Sequence, residues 1–373
     1  MRHTTRRSSI SLAAACLLLA GCGGSSGDSD APAPALPGTA FVTTAAYPTG
    51  GYATIDLDTL AAQTFQGNGI VESDNAVTYY DGKIYVINRM GFDNITVLDP
   101  SDLTKAERQF STGNGTNPHC IAFVSDEKAY VTLYGANYLL IVNPSTGEAQ
   151  GRIDLSAFAD ADGVPEASPM VSVGDKLFVA VQRLENWNPT DASYVVVIDT
   201  ATDEVVDVDP STDEVDPIVL TGTNPQFMRY DAELSKIVVS ETGSYGAQDG
   251  GLETVDPGTY QAEGFFVTEE ALGGDVGDFV MVGGAKIYVV VGGFGPNDVA
   301  VVENLDGSWQ KQGTLGTSGS FIPSLALDGR GRLLVPDRDT TNPGVRIYDT
   351  TTDQEVEGSP VDVGLPPNSI TVF

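Results

Sequence analysis

The chain has 373 residues, 51 of them Asp or Glu against 19 Lys or Arg, a formal charge of -32. Nucleic-acid affinity is built from Lys and Arg neutralising phosphates, so DNA, RNA and bare anionic lipid faces are excluded as partners. With 41% hydrophobic and only 19% charged residues, and with 42 Gly and 21 Pro, the sequence is foldable and not an acidic disordered tail.

The chain opens with Arg2, Arg6 and Arg7, an apolar run from Ile10 to Ala20, and then Leu19-Ala20-Gly21-Cys22. Residues 1–21 read as a secretory signal peptide, too short to span a bilayer stably. The Leu-Ala-Gly-Cys ending resembles the lipobox of bacterial lipoproteins, which implies cleavage before Cys22 and a lipid (palmitate-type) anchor on it. Gly23 stands where many inner-membrane lipoproteins have Asp, so the same resemblance implies the outer membrane, facing the periplasm or the cell surface. Residues 22–39 are the lipidated Cys and a Gly/Ser then Ala/Pro linker; as a coil they reach roughly 20–25 Å. After export Cys120 and His119 stand alone of their kinds, which removes intrachain disulfides and His-rich metal sites.

Residues 40–373 repeat every 40–60 residues or so, a period that signals arrays or propellers. The clearest elements are Lys83 to Ile87, Lys128 to Thr132, Lys176 to Ala180, Lys236 to Ser240, Lys286 to Val290 and Arg332 to Pro336. Third strands follow at Ile95 to Asp99, Leu139 to Asn143, Val195 to Asp199, Gly251 to Asp256, Val299 to Glu303 and Val345 to Asp349. Runs of five rich in Val, Ile and Tyr between Gly, Asp and Pro are strands. The one helix-like piece is Asp154 to Ala161.

These elements make six units, and the two ends supply a seventh. Ala40 to Thr43 has no inner strand before it, and Asn368 to Phe373 reads as an inner strand with nothing after it. The expected fold is all-β: a seven-bladed β-propeller closed by the C-terminal strand pairing with the N-terminal strands, which leaves no open edge. Asp126 to Thr132, Tyr194 to Val206 and Val363 to Thr371 make the repeats resemble the YVTN family of β-propellers. That resemblance implies the fold and leaves function open, because such propellers serve many tasks.

In a propeller the second-to-third-strand loops and the loops leading into each inner strand share one face, here called the top. The opposite turns are full of Asp and Asn, which cap turn backbones. The top loops instead carry aromatics (Tyr47, Phe92, Tyr134, Tyr138, Trp187, Tyr245, Phe294) and arginines (Arg89, Arg183, Arg338). Aligning the starts of the inner strands gives a second ring at the channel mouth: Asn75, His119, Ser168, Gln226, Asp278, Pro323 and Asn368. Aromatics with Arg on loops held by a rigid scaffold are common binding anchors. The ligand-binding candidates are therefore Tyr47, Arg89, Phe92, His119, Tyr134, Tyr138, Arg183, Trp187, Gln226, Tyr245, Phe294, Arg338 and Asn368, with His119 able to ligate a metal carried inside a ligand.

No cofactor is required by these residues; Asp160-Ala-Asp162-Gly163 and the acids of 207–216 have the oxygen density for a structural calcium, without EF-hand spacing. The expected function is a non-enzymatic, monomeric, lipid-anchored envelope protein that captures a small planar or partly anionic ligand. By analogy with corrinoid-capturing surface lipoproteins this means a corrinoid, a haem-like compound or a siderophore handed to an outer-membrane transporter. The alternatives are a module that binds an envelope protein, and a calcium-dependent lactonase-like enzyme using top-face Asp and Asn.

Overall fold

The computed structural model describes residues 37–293, 295–317 and 319–373. Cys22, the signal segment and Phe294 lie outside the described residues. Seven small antiparallel sheets stand in a ring, and the fold is a seven-bladed β-propeller. Blade 1 has the order Ala62–Gln66, Thr49–Asp56, Thr39–Ala46, Pro367–Val372 from outside to inside, so the last strand of the chain is the inner strand of the first blade. Ala40 faces Val372 and Val42 faces Ile370, and the junction is sealed by Phe373 N–H donating to Thr39 O at 2.9 Å. Blades 2 to 7 follow with inner strands Asn75–Tyr80, Pro118–Ser125, Ala167–Val173, Pro225–Asp231, Val276–Val282 and the short Ala326–Leu327.

The second and third strands read as unbroken apolar runs because each blade is covered on both faces by its neighbours. The buried side chains divide into seven clusters, each spanning one blade-to-blade interface. Phe41, Tyr52, Ile84 and Val86 join blades 1 and 2; Leu334, Ile347, Ala40 and Val42 join blades 7 and 1. Ring closure is therefore a packing event as much as a strand pairing, and each interface buries apolar area that an open array would expose.

The bottom turns show why Asp and Asn recur there. Asp56, Asn143, Asp199, Asp256 and Asp349 each accept the backbone N–H groups two and three residues on. The fifth residue of each turn, Leu60, Gly147, Asp203, Tyr260 and Asp353, is left-handed. The basic residue opening each second strand ties these turns down. Lys83, Lys176 and Lys236 pair with Asp99, Asp199 and Asp256 of their own blades. Lys128 and Lys286 reach across to Asp203 and Asp353 of the next blade, joined by the hydroxyls of Tyr130 and Tyr288.

Three local features depart from expectation. The helical piece shrinks to a 3-10 turn at Ser156–Phe158. A four-residue α-helix, Glu269–Leu272, stands in the connection to blade 6, with Thr268 Oγ1 accepting the Ala271 N–H and left-handed Gly273 ending it. The outer strand of blade 4 is split into Glu204–Val206 and Ile218–Val219 by the acidic excursion between them. One turn of helix is too short to show a 3.6-residue period, which is why the sequence does not reveal it.

Candidate functional site

The loop after the second strand of blade 4 folds as a miniature hairpin, Leu184–Glu185 against Asn188–Pro189. Its two-residue tip, Asn186-Trp187, is left-handed at both positions (φ 53° and 67°), the conformation that a tight hairpin turn demands. A large aromatic at such a position is unusual, and the result is a Trp187 ring that is 71% exposed. Beneath it lies Tyr134 of blade 3, its ring 6.4 Å from Trp187 and 18° from parallel. Under Tyr134 lies His119, at 4.4 Å and 16°. Three planar groups from two blades thus form one ladder running from the channel mouth to solvent.

Hydrogen bonds fix the ladder from below. His119 Nδ1 lies 2.9 Å from Ser168 Oγ. Tyr134 Oη donates to Gln182 Oε1 at 2.7 Å, and Gln182 Nε2 donates to Pro225 O at 2.8 Å, linking blades 3, 4 and 5. Burial and the nearby Arg89 guanidinium hold the His119 imidazolium well below its usual range, so the ring is neutral at neutral pH. Burial pushes the Tyr134 phenol up as well, with Glu166 and Tyr245 adding to the rise. Tyr245 sits on the blade 5 side of the group, 3.4 Å from Gln226 Nε2, and Gln226 is held by Asn224 Oδ1 at 2.7 Å.

The structure thus brings together His119, Tyr134, Trp187, Gln226 and Tyr245, with Arg89 beside them. The remaining predicted residues are placed otherwise. Tyr47 is 92% exposed on blade 1, across the ring, and Phe92 is an exposed neighbour of Arg89 on blade 2. Tyr138 turns outward beneath the Arg152 guanidinium, 4.1 Å from its ring. Arg338 ties blade 7 to blade 1 through Ala45 O at 2.9 Å and Pro367 O at 3.4 Å. Asn368 donates to Asn75 O at 2.9 Å.

The arginines are committed to the protein. Arg89 is paired with Asp74 through Nε at 2.7 Å and Nη2 at 2.6 Å. Arg183 lies over the Tyr194 ring and donates to Ala192 O at 2.7 Å. The mouth ring also needs a register correction at two places. Asn75 faces Asn88 as Pro118 faces Leu133, and Ala76 faces Ile87 as Cys120 faces Thr132, so Asn75 stands at the Pro118 position and the bulge residue His119 has no counterpart in blade 2. Val276 faces Val291 in the same way, which puts Gly277 at the His119 position and leaves Asp278 buried beneath.

Sequence reading missed Gln182 and Glu166. Glu166 is left-handed like Asn117 and Asn224, each two residues before a mouth residue, and that shared spacing was the available signal. Its Oε2 accepts the Leu184 N–H at 2.9 Å and so anchors the Trp187 hairpin. Among the described residues no three His, Cys, Asp or Glu side chains converge as a metal site. No helix among the described residues is long and apolar enough to cross a membrane.

No family model matches the chain, and no curated protein matches it. Solved structures do match in fold. One is a putative 6-phosphogluconolactonase from Bacteroides fragilis, at TM-score 0.65 and 13% identity over 90% of this chain and 97% of that one. Another is apo AztD from Citrobacter koseri, at 0.54 and 12% over 90% and 97%. A third is the dihydro-heme d1 dehydrogenase NirN in complex with DHE, at 0.55 and 15% over 89% and 74%. At these identities the likeness is one of fold.

Proposed function

We propose that this chain is an exported, lipid-anchored propeller that captures a planar conjugated ligand on its top face. The observation that supports this most is the parallel ladder His119–Tyr134–Trp187, whose outermost ring lies open to solvent and extends the stack by one place for an incoming plane. Offset stacking of aromatic planes is worth about 0.5–1.5 kcal/mol beyond area burial. A tetrapyrrole-like ligand, whether corrinoid or haem-like, suits the geometry, and one neighbour in fold is a dihydro-heme d1 dehydrogenase, NirN, in complex with DHE. His119 is the inner end of the ladder, with Tyr134 and Trp187 between it and the open place, so its part is to back the stack, held by Ser168, and not to ligate a metal inside a ligand stacked on Trp187. Handover to an outer-membrane transporter would follow capture.

Titration with metallo-tetrapyrroles is the test. Binding read from the ligand's absorbance band should weaken about tenfold in Trp187→Ala, as expected for one lost stacking partner with its buried area. No binding across a panel of tetrapyrroles, or binding unchanged in Trp187→Ala, would sink the reading. The anchor has its own check: cells fed labelled palmitate should yield a labelled protein, and Cys22→Ser should abolish the label and release the protein from the envelope fraction.

The enzyme alternative draws on the lactonase-like neighbours. It predicts lactone hydrolysis that depends on added calcium, measurable on the purified protein.

A further inference from the structure

The exposed large side chains are unevenly distributed. Tyr47, Met90, Phe92, Trp187, Tyr245 and Phe321 are all more than a third exposed, and all lie on top-face loops. Every exposed aromatic among the described residues is therefore on one face. Cations are scarce on that face. No Lys lies in a top loop; those opening second strands sit at the bottom, and Lys311, on the outer strand of blade 6, reaches up to the connection into that blade, where it donates to Leu272 O. The three top arginines are held by Asp74, by Tyr194 with Ala192 O, and by Ala45 O with Pro367 O.

Acids remain on that face. Glu185 and Asp191 are exposed on the hairpin segment that carries Trp187, one before it and one after. The molecule as a whole carries -32. Its field concentrates cations over the top face and repels anions; Arg89 is offset by Asp74, and the charges of Arg183 and Arg338, which rest on a ring and on carbonyls, are set against Glu185, Asp191 and the molecule's excess of acids. Indole is the strongest cation–π partner among side chains, and phenols follow it.

We infer that the planar ligand taken by this face is an organic cation, held by cation–π contact at Trp187 and Tyr245 and by the carboxylates of Glu185 and Asp191. This rests on the stacking reading above and adds to it the sign of the ligand's charge. It also reverses the expectation of a partly anionic ligand, and sets aside haem-like tetrapyrroles that carry free carboxylates. The carboxylates do not need to touch the ligand plane, since exposed charges within a Debye length of about 8–10 Å still act on it.

Two synthetic porphyrins with the same plane and opposite charge provide the test: one bearing four N-methylpyridinium groups, the other four phenylsulfonates. Each is titrated into the mature protein at physiological salt, with absorbance and Trp187 fluorescence as readouts. The cationic porphyrin is expected to bind at least about tenfold more tightly, and Trp187→Ala to weaken it by about tenfold. Glu185→Gln with Asp191→Asn should weaken it about threefold, more at low salt than at high. Equal or tighter binding of the sulfonated porphyrin would overturn the charge assignment while leaving stacking intact. Cationic binding indifferent to Trp187→Ala would mean adventitious attraction to an acidic surface, and overturns it too. If neither porphyrin binds, stacking itself fails and the cation assignment falls with it.

Discussion

Asp278→Ala is expected to destabilise the propeller by about 3–5 kcal/mol, the cost of removing one partner of a buried ion pair. Asp278 is 2% exposed and serves three blades at once. Its Oδ1 accepts from Arg229 Nη2 of blade 5 at 2.8 Å and from the Phe279 N–H of its own blade at 2.8 Å. Its Oδ2 accepts the Leu325 N–H, in the segment leading into blade 7, at 2.8 Å. Alanine leaves a buried amide on blade 7 without its acceptor and a guanidinium without this carboxylate, while its Nε still donates to the Phe279 carbonyl at 2.6 Å. Asparagine retains one oxygen acceptor but turns an amino group toward a donor, so Asp278→Asn should cost less, about 1–3 kcal/mol. Guanidinium unfolding midpoints for the two variants check both the size and the order. A wild-type midpoint for Asp278→Ala would place the residue at the channel mouth after all, where its loss would be felt in binding and not in stability.

That contrast shows which parts of the molecule the sequence reveals. Lys-x-Tyr/Phe/Val-Val repeats are visible because each second strand is buried on both faces and opens with the bottom-turn cation, so one physical role repeats six times. The closing strand is visible because Asn368 to Phe373 has inner-strand character and no blade of its own. The mouth ring is less legible, since a one-residue slip of register moves a side chain to the other face. Bulges between Pro118 and Cys120 and between Val276 and Phe279 shift the count within blades 3 and 6, and no sequence period marks a bulge. Trp187, Tyr134 and His119 can each be picked out as top-face residues, but their stacking cannot. It depends on a hairpin whose tip is left-handed, and on Gln182 and Glu166, buried polar residues that look ordinary in the sequence. The arginines illustrate the converse: residue type suggests ligand capture, whereas their geometry spends them on Asp74, Tyr194 and Ala45.

Stability should fall as pH rises from about 5 to 8, the opposite of the usual behaviour of a protein rich in turn-capping aspartates. Three buried glutamates are responsible. Burial pushes the Glu166 and Glu269 carboxyls up to about 7, and holds Glu241 well above its usual range, with Glu253 adding to the rise. An unfolded Glu titrates near 4.3, so between that value and the raised one the folded state holds protons that the unfolded state has released. Their contribution is complete below about pH 4.3 and is lost as pH climbs through the folded value; for Glu166 and Glu269 that loss is on the order of 3 kcal/mol each. The lowered carboxyls, such as Asp102 and Asp256, act only at the acid end, where their stabilisation is lost as pH falls through about 2. Glu241 is the cleanest probe. It and Glu253 are diagonal neighbours on one face of blade 5, both fully buried, and among the described residues neither forms a salt bridge. Glu253 takes the Thr221 N–H at 2.9 Å, the Thr221 hydroxyl at 2.5 Å and the Gly264 N–H at 2.9 Å, so both of its oxygens are occupied by donors. Neither oxygen of Glu241 has a partner at full hydrogen-bond geometry, and its nearest polar neighbours are Glu253 and the Gly222 backbone, so it is the member that keeps the proton. Glu241→Gln replaces that proton with an amide N–H of the same reach and no titration. Its stability should match wild type at about pH 5 and gain on it toward about pH 9, because only the wild type still has to lose a proton from the buried Glu241 as pH rises. Glu253→Gln should instead weaken the fold at both values, by about 1–3 kcal/mol, because it sets an amino group against donors that now point at a carboxylate. Guanidinium unfolding of the three proteins at the two pH values reads all of this at once. A wild-type stability that rises between pH 5 and 8, or a Glu241→Gln variant with the wild-type slope, would rule out the shared proton.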